Sequence, residues 1–152
     1  MSHPTRPSCL LPRLLVVVVV VVIAVGDLRS WVLVLPWERP PLSLNDRMHW
    51  QVRGSWVRNV RDAAHLLAIQ ARVPALARCR VELVYAPRDR RTRDSDNLVA
   101  TLKPLCDGLV DAGVVPDDSP GFMVKPMPRI VAPQRPARLE LLITELPAVS
   151  DV

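Results

Sequence analysis

What most constrains the fold of this chain is a change of hydrophobic period near residue 75. Over residues 55–72, Val57, Val60, Ala64, Leu67 and Ala71 recur at three- and four-residue steps, with Arg58, Arg61, Asp62 and His65 on the opposite side. That spacing predicts an amphipathic helix whose apolar stripe must face a core. Ser55 stands where an N-terminal cap is expected, and Pro74 helps to end the helix. From Cys79 the period becomes two: Val81, Leu83 and Tyr85 share one face, and Arg80, Glu82 and Val84 the other, as in a half-buried strand.

Further elements surround this pair. A strand is expected over residues 31–37, stopped by Pro36 and Pro40-Pro41, which lack the amide donor that sheet pairing needs. A second helical segment spans about residues 97–112 and is interrupted by Pro104. Either the helix kinks there or Pro104 opens its main part. Gly113 is positioned as its C-terminal cap. A short strand around residues 122–128 and a clearer one over 138–146 complete the order β-α-β-α-β-β. This order predicts an α/β chain, more narrowly α+β, with a mixed sheet. With 152 residues and 49% hydrophobic content, one domain with a sizeable core is expected.

Residues 1–26 stand apart as a leader ahead of a domain over 27–152. Arg6 and Arg13 precede an apolar run from Leu14 to Val25 that contains seven consecutive valines. The run is too short for a membrane helix, which needs roughly 20 residues. Basic flank, apolar stretch and Ala24-Val25-Gly26 imitate a secretory signal with a small-residue cleavage site. The opposing reading is a low-complexity leader or a start placed too far upstream. The lack of any periodicity favours the second, with a cytoplasmic protein and no stable membrane association.

The formal charge of +5 favours an anionic partner without choosing between nucleic acid and membrane. Cys9, Cys79 and Cys106 are scattered and in no C-x-x-C spacing, which suggests neither a zinc knuckle nor a disulfide framework and fits reduced thiols. His3, His49 and His65 have no ligand spacing among them. Trp31, Trp37, Trp50 and Trp56 cluster in the first part of the domain, where core packing is the default and base stacking the minority alternative.

Chemistry concentrates in two acidic pairs. Asp94 and Asp96 open the second helical segment, and Asp117-Asp118 follow its end. Gathering carboxylates against their repulsion, in a basic protein, is how a fold collects a divalent cation where a polyanion will lie. Phosphodiester hydrolysis needs oxygen ligands converging on one metal. If the chain reverses at Gly113, one of the later aspartates returns towards the first pair. Lys103 is suited to neutralise a scissile phosphate or orient water. The loop before Asp94 carries Arg88, Arg90, Arg91 and Arg93, able to contact phosphates without reading sequence. Singly, each aspartate also has a structural reading, as a helix cap, an arginine partner or a turn residue.

These residues resemble the RusA family of Holliday junction resolvases. The likeness runs from about residue 32 to 146 and rests on Leu35-Pro36-Trp37 with Pro40-Pro41 and Asn45, on Arg91-Thr92-Arg93-Asp94-Ser95-Asp96-Asn97-Leu98, on Asp107-Gly108-Leu109 with Ala112-Gly113-Val114, on Asp117-Asp118, and on Arg138-Leu139-Glu140-Leu141 with Ile143-Thr144-Glu145. The resemblance implies a homodimer that binds four-way DNA junctions and, with magnesium, nicks two opposing strands symmetrically. It implies Asp94, Asp96 and Asp118 as magnesium ligands, with Asp117 a neighbour. The family's functional lysine falls at Ala100 here, and Lys103 is the nearest lysine, in a segment about three residues longer. A junction-binding protein without efficient cleavage is the alternative that this departure supports. The leader has no family counterpart.

Overall fold

The computed structural model of the protein describes residues 26–149. Apart from Gly26, the expected leader lies outside the described residues. The elements are β1 (Ser30–Val34), α1 (Trp50–Gln70), β2 (Arg78–Ala86), a 3-10 turn (Ser95–Leu98), α2 (Val99–Asp111), β3 (Met123–Val124), β4 (Arg129–Ile130) and β5 (Arg138–Leu146). Strand β5 lies between β1 and β2 and is antiparallel to both, whereas β3 and β4 run parallel to the outer edge of β2. This is the expected α+β domain with a mixed sheet.

Alternation turns into three apolar rows across the sheet. Trp31 faces Ile143, which faces Val81, and Leu33 faces Leu141, which faces Leu83. In the third row Leu139 faces Tyr85, and the Leu35 amide donates to the Leu139 carbonyl at 2.9 Å. All of these side chains are buried, in one core with Val60, Ala64, Leu67 and Ala68 of α1 and Leu102, Leu105 and Leu109 of α2. Both helices therefore cover one face of the sheet. Sliding β5 by one residue would bring Glu140 and Thr144 into that core in place of Leu139, Leu141 and Ile143, so the register is strongly fixed. The opposite face is half exposed and carries ion pairs such as Glu82 with Arg129.

Helix α1 begins five residues before the expected Ser55 cap. His49 is the cap, its Nδ1 accepting from the Gln51 amide at 3.4 Å, and the Ser55 hydroxyl donates to the Gln51 carbonyl inside the helix. No residue before Val60 is buried on this helix, so the core imposed no apolar period on its first turns. Its end uses Arg72 in the left-handed region at φ 53, with the Val73 amide bonded to the Ala68 carbonyl. Gly113 caps α2 as expected: at φ 77 it donates to Val110, and Val114 donates to Leu109. Pro104 lies inside α2, buried, with the 3-10 turn ahead of the helix. Of the strand expected over 122–128 only β3 at Met123–Val124 forms, and a second short strand, β4, follows past its end at Arg129–Ile130, because Pro126 and Pro128 interrupt the row of amide donors between them.

Helices α1 and α2 meet at Gly108. A Cβ there would lie 2.2 Å from the Arg61 carbonyl oxygen and 2.8 Å from the Ala64 Cβ, and backbone at that distance cannot yield without moving a helix. Gly108→Ala is therefore expected to destabilise by about 1–2 kcal/mol net, overpacking against α1 backbone costing about 2–3 kcal/mol and outweighing the roughly 1 kcal/mol by which alanine is the better helix former. Urea unfolding measures this; an unchanged or raised midpoint would mean that the helices are not in contact at this point.

Candidate functional site

Asp94 is extended (φ -92, ψ 127) and directly precedes the 3-10 turn, where its carbonyl accepts from the Asn97 amide at 3.2 Å. Its side chain makes no cap bond. Among the described residues neither the Asp94 nor the Asp96 carboxylate takes part in a hydrogen bond or ion pair, and both residues are exposed. The neighbouring arginines do not claim them, because Asp89 does. Arg93 donates to the Asp89 carboxylate at 2.6 Å and to its carbonyl at 3.1 Å, and its guanidinium lies 6.0 Å from the centre of the Tyr85 ring. The Arg93 hydrogen bond, aided by the Arg91 amide, holds the Asp89 carboxyl below its ordinary value. Of the four expected phosphate contacts, Arg93 is thus a strut within the loop. Arg91 stands 3.7 Å from Asp89 with most of its side chain in solvent, and Arg88 and Arg90 are exposed without an ion pair among the described residues.

Beyond Gly113 the chain returns along α2 and delivers Asp118 to Lys103. The Lys103 ammonium donates to Asp118 at 2.6 Å and to Asp107 at 2.9 Å. Lys125, which follows β3, donates to the Asp118 carboxylate at 3.0 Å and to its carbonyl at 2.6 Å. Lys103 and then Lys125 hold the Asp118 carboxyl below the usual carboxylate range, while Asp118 and Asp107 raise Lys103. Sequence reasoning missed two members of this cluster. Asp107 was legible as the partner one helical turn after Lys103. Lys125 carries no local signal, since only the parallel pairing of β3 with β2 brings it there.

The three aspartates do not share one point. Asp96 lies in the 3-10 turn and Lys103 in α2 seven residues on, roughly 12 Å further along the axis at about 2.0 Å per residue in the 3-10 turn and about 1.5 Å in the α-helix. The return from Gly113 thus reaches the level of Lys103. Among the described residues no group of three or more histidine, cysteine, aspartate or glutamate side chains is gathered closely enough to hold a metal ion. The donor set nevertheless suits magnesium. Its members are hard carboxylate oxygens, and magnesium commonly takes one or two carboxylates together with water and substrate phosphate. Among the described residues Asp94 and Asp96 have no side-chain partner, whereas Asp118 is occupied by Lys103 and Lys125.

A cleft of about 870 Å³ opens beside Asp94. One wall is the loop after β1, the other the approach to the 3-10 turn. Thr101 fastens the two: fully buried, its hydroxyl donates to the Leu42 carbonyl at 2.8 Å and accepts from the Leu42 amide at 3.2 Å. Cys79 and Cys106 are unpaired and buried, and burial pushes their thiols up to about 11 and about 12, so both are protonated core groups at neutral pH. No helix among the described residues is long and apolar enough to cross a membrane.

No family model matches the chain. It is similar to an uncharacterized protein of Xylella fastidiosa (strain Temecula1 / ATCC 700964), with 35% identity over 85 residues, covering 53% of this chain and 56% of the relative. The chain thus spans little more than half the length of that relative.

The lysine cluster is testable by titration. The Asp118 carboxyl is lowered from 3.8 and Lys103 is raised from 10.5. What this pairing adds to stability is therefore complete across the neutral range. It is lost as pH falls through the lowered Asp118 value or rises through the raised Lys103 value. Carboxyl NMR should find the Asp118 midpoint below 3.8 and moving upward in Lys103→Met. A midpoint that ignores the substitution would show that the contact is not formed in solution.

Proposed function

We propose that this chain is a magnesium-dependent endodeoxyribonuclease that resolves four-way DNA junctions by paired symmetric nicks, as a cytoplasmic homodimer serving recombination and repair. The observation that carries the reading is the pair of exposed carboxylates, Asp94 and Asp96, unclaimed by the fold beside a loop that projects Arg88, Arg90 and Arg91. Carboxylates with a purely structural role would be capping the turn or pairing with those arginines; these do neither. The resemblance to the RusA resolvases supplies the substrate class and the dimer.

In this reading Asp94 and Asp96 would hold magnesium, and Asp118 would join them only by leaving Lys103 and Lys125 and moving with the segment after Gly113 towards the 3-10 turn. When bound, magnesium polarises a phosphoryl oxygen and lowers the pKa of water. The ammonium of Lys103, released from Asp118, neutralises charge on the phosphate near the reacting centre. The exposed arginines hold the backbone of the branch arms and give binding that weakens steeply with salt. A second reading, a junction-binding protein without cleavage, is favoured by one observation: two ammonium groups already occupy Asp118.

Asp96→Asn separates the two. Nicking of a synthetic four-way junction in magnesium should fall roughly 100-fold or more, since a lost ligand removes several kcal/mol of transition-state stabilisation. Junction affinity should persist, and chelation should abolish nicking by the unaltered protein. Equal nicking by both proteins refutes the metal assignment, and tight junction binding with no nicking by either selects the second reading.

A further inference from the structure

The cleft beside Asp94 is unlike a phosphate-binding surface. Trp37 and Trp56 are half-buried in its wall, Tyr85 lies at its floor, Arg39 and Arg93 stand at the rim, and Asn97 presents an amide with no side-chain hydrogen bond among the described residues. Indole faces offer stacking to any base, and an amide offers one donor and one acceptor to a base edge. Arg39 is exposed and, like its neighbour Glu38 in the same lining, makes no ion pair among the described residues, so its guanidinium is available to the phosphate that every nucleotide carries. The loop wall is stiffened by Pro36, Pro40 and Pro41 and fastened by Thr101 to α2, so little ordering is required on binding. The volume of about 870 Å³ is ample for one nucleotide.

We propose that this cleft receives an unpaired nucleotide of DNA, its base stacked on Trp37 and its phosphate directed towards Arg39. The inference rests on the reading of the chain as a branched-DNA protein and deepens it: the bases at a branch point are those most easily unstacked, and Asp94 joins the cleft to the proposed reacting centre. Cleavage is not required for it.

The test is fluorescence anisotropy, with chelator present, of three labelled probes of equal length: oligothymidylate, the same backbone with abasic residues, and a blunt duplex. Trp37→Ala should weaken oligothymidylate binding about tenfold or more while leaving the abasic and duplex probes within about twofold, and Trp37→Phe should restore most of the loss. In the unaltered protein, oligothymidylate should quench tryptophan emission and the abasic strand should not, a readout that needs no variant. Equal loss on all three probes, no loss on any, or equal quenching by both strands would overturn the proposal. With no magnesium present, failure of the nuclease reading leaves these outcomes unchanged, so the two are told apart.

Discussion

The close approach of α1 and α2 at Gly108 sets the position of the whole functional face. With no side chain at that point, α2 lies against the backbone of α1, and its rotation is then fixed. Thr101 falls on nearly the same side as Gly108, seven residues earlier, and turns inward to bind Leu42. Lys103, five residues from Gly108 and so about 140° round the helix at 100° per residue, turns outward to meet Asp118. One close contact thus aims the buried staple of the cleft wall and the exposed lysine of the acidic cluster in opposite directions.

Electrostatics then divides the acids into those the fold uses and those it leaves. Asp89 takes Arg93, Asp111 takes Arg61 across the two helices, Glu145 takes Arg29, and Asp118 takes two lysines. Exposed pairs of this kind contribute little stability each, yet they decide where charge remains available. Asp94 and Asp96, at the N-terminal end of a helical segment where negative charge is favoured, remain unpartnered among the described residues. Two unpartnered carboxylates thus stand beside the exposed Arg88, Arg90 and Arg91.

Legibility in the sequence followed the core. Strands β2 and β5 were readable because each sends alternate residues into one apolar layer, and Gly113 because a left-handed cap favours glycine. The first turns of α1 were not, since Trp50 and Val52 remain exposed and no period distinguishes them. The acidic residues were readable as a motif, but their grouping was not. Asp118 meets Lys125 only through strand pairing, and Arg93 is withdrawn from phosphate by a residue four positions earlier. The cleft draws its walls from segments up to about 90 residues apart in sequence, in contacts that no local period encodes.

Paramagnetic broadening by manganese, a hard cation that substitutes for magnesium at carboxylate sites, tests the central claim most directly. Substoichiometric manganese added to isotope-labelled protein should first broaden the amide resonances of residues 94–97, with those around Asp118 following as Lys103 is displaced. At that first stage, before the Asp118 region is affected, the amides of Asp62 and Asp111, on the α1 side, should stay sharp. Broadening spread evenly over every exposed acid, or centred away from Asp94 and Asp96, would contradict the account.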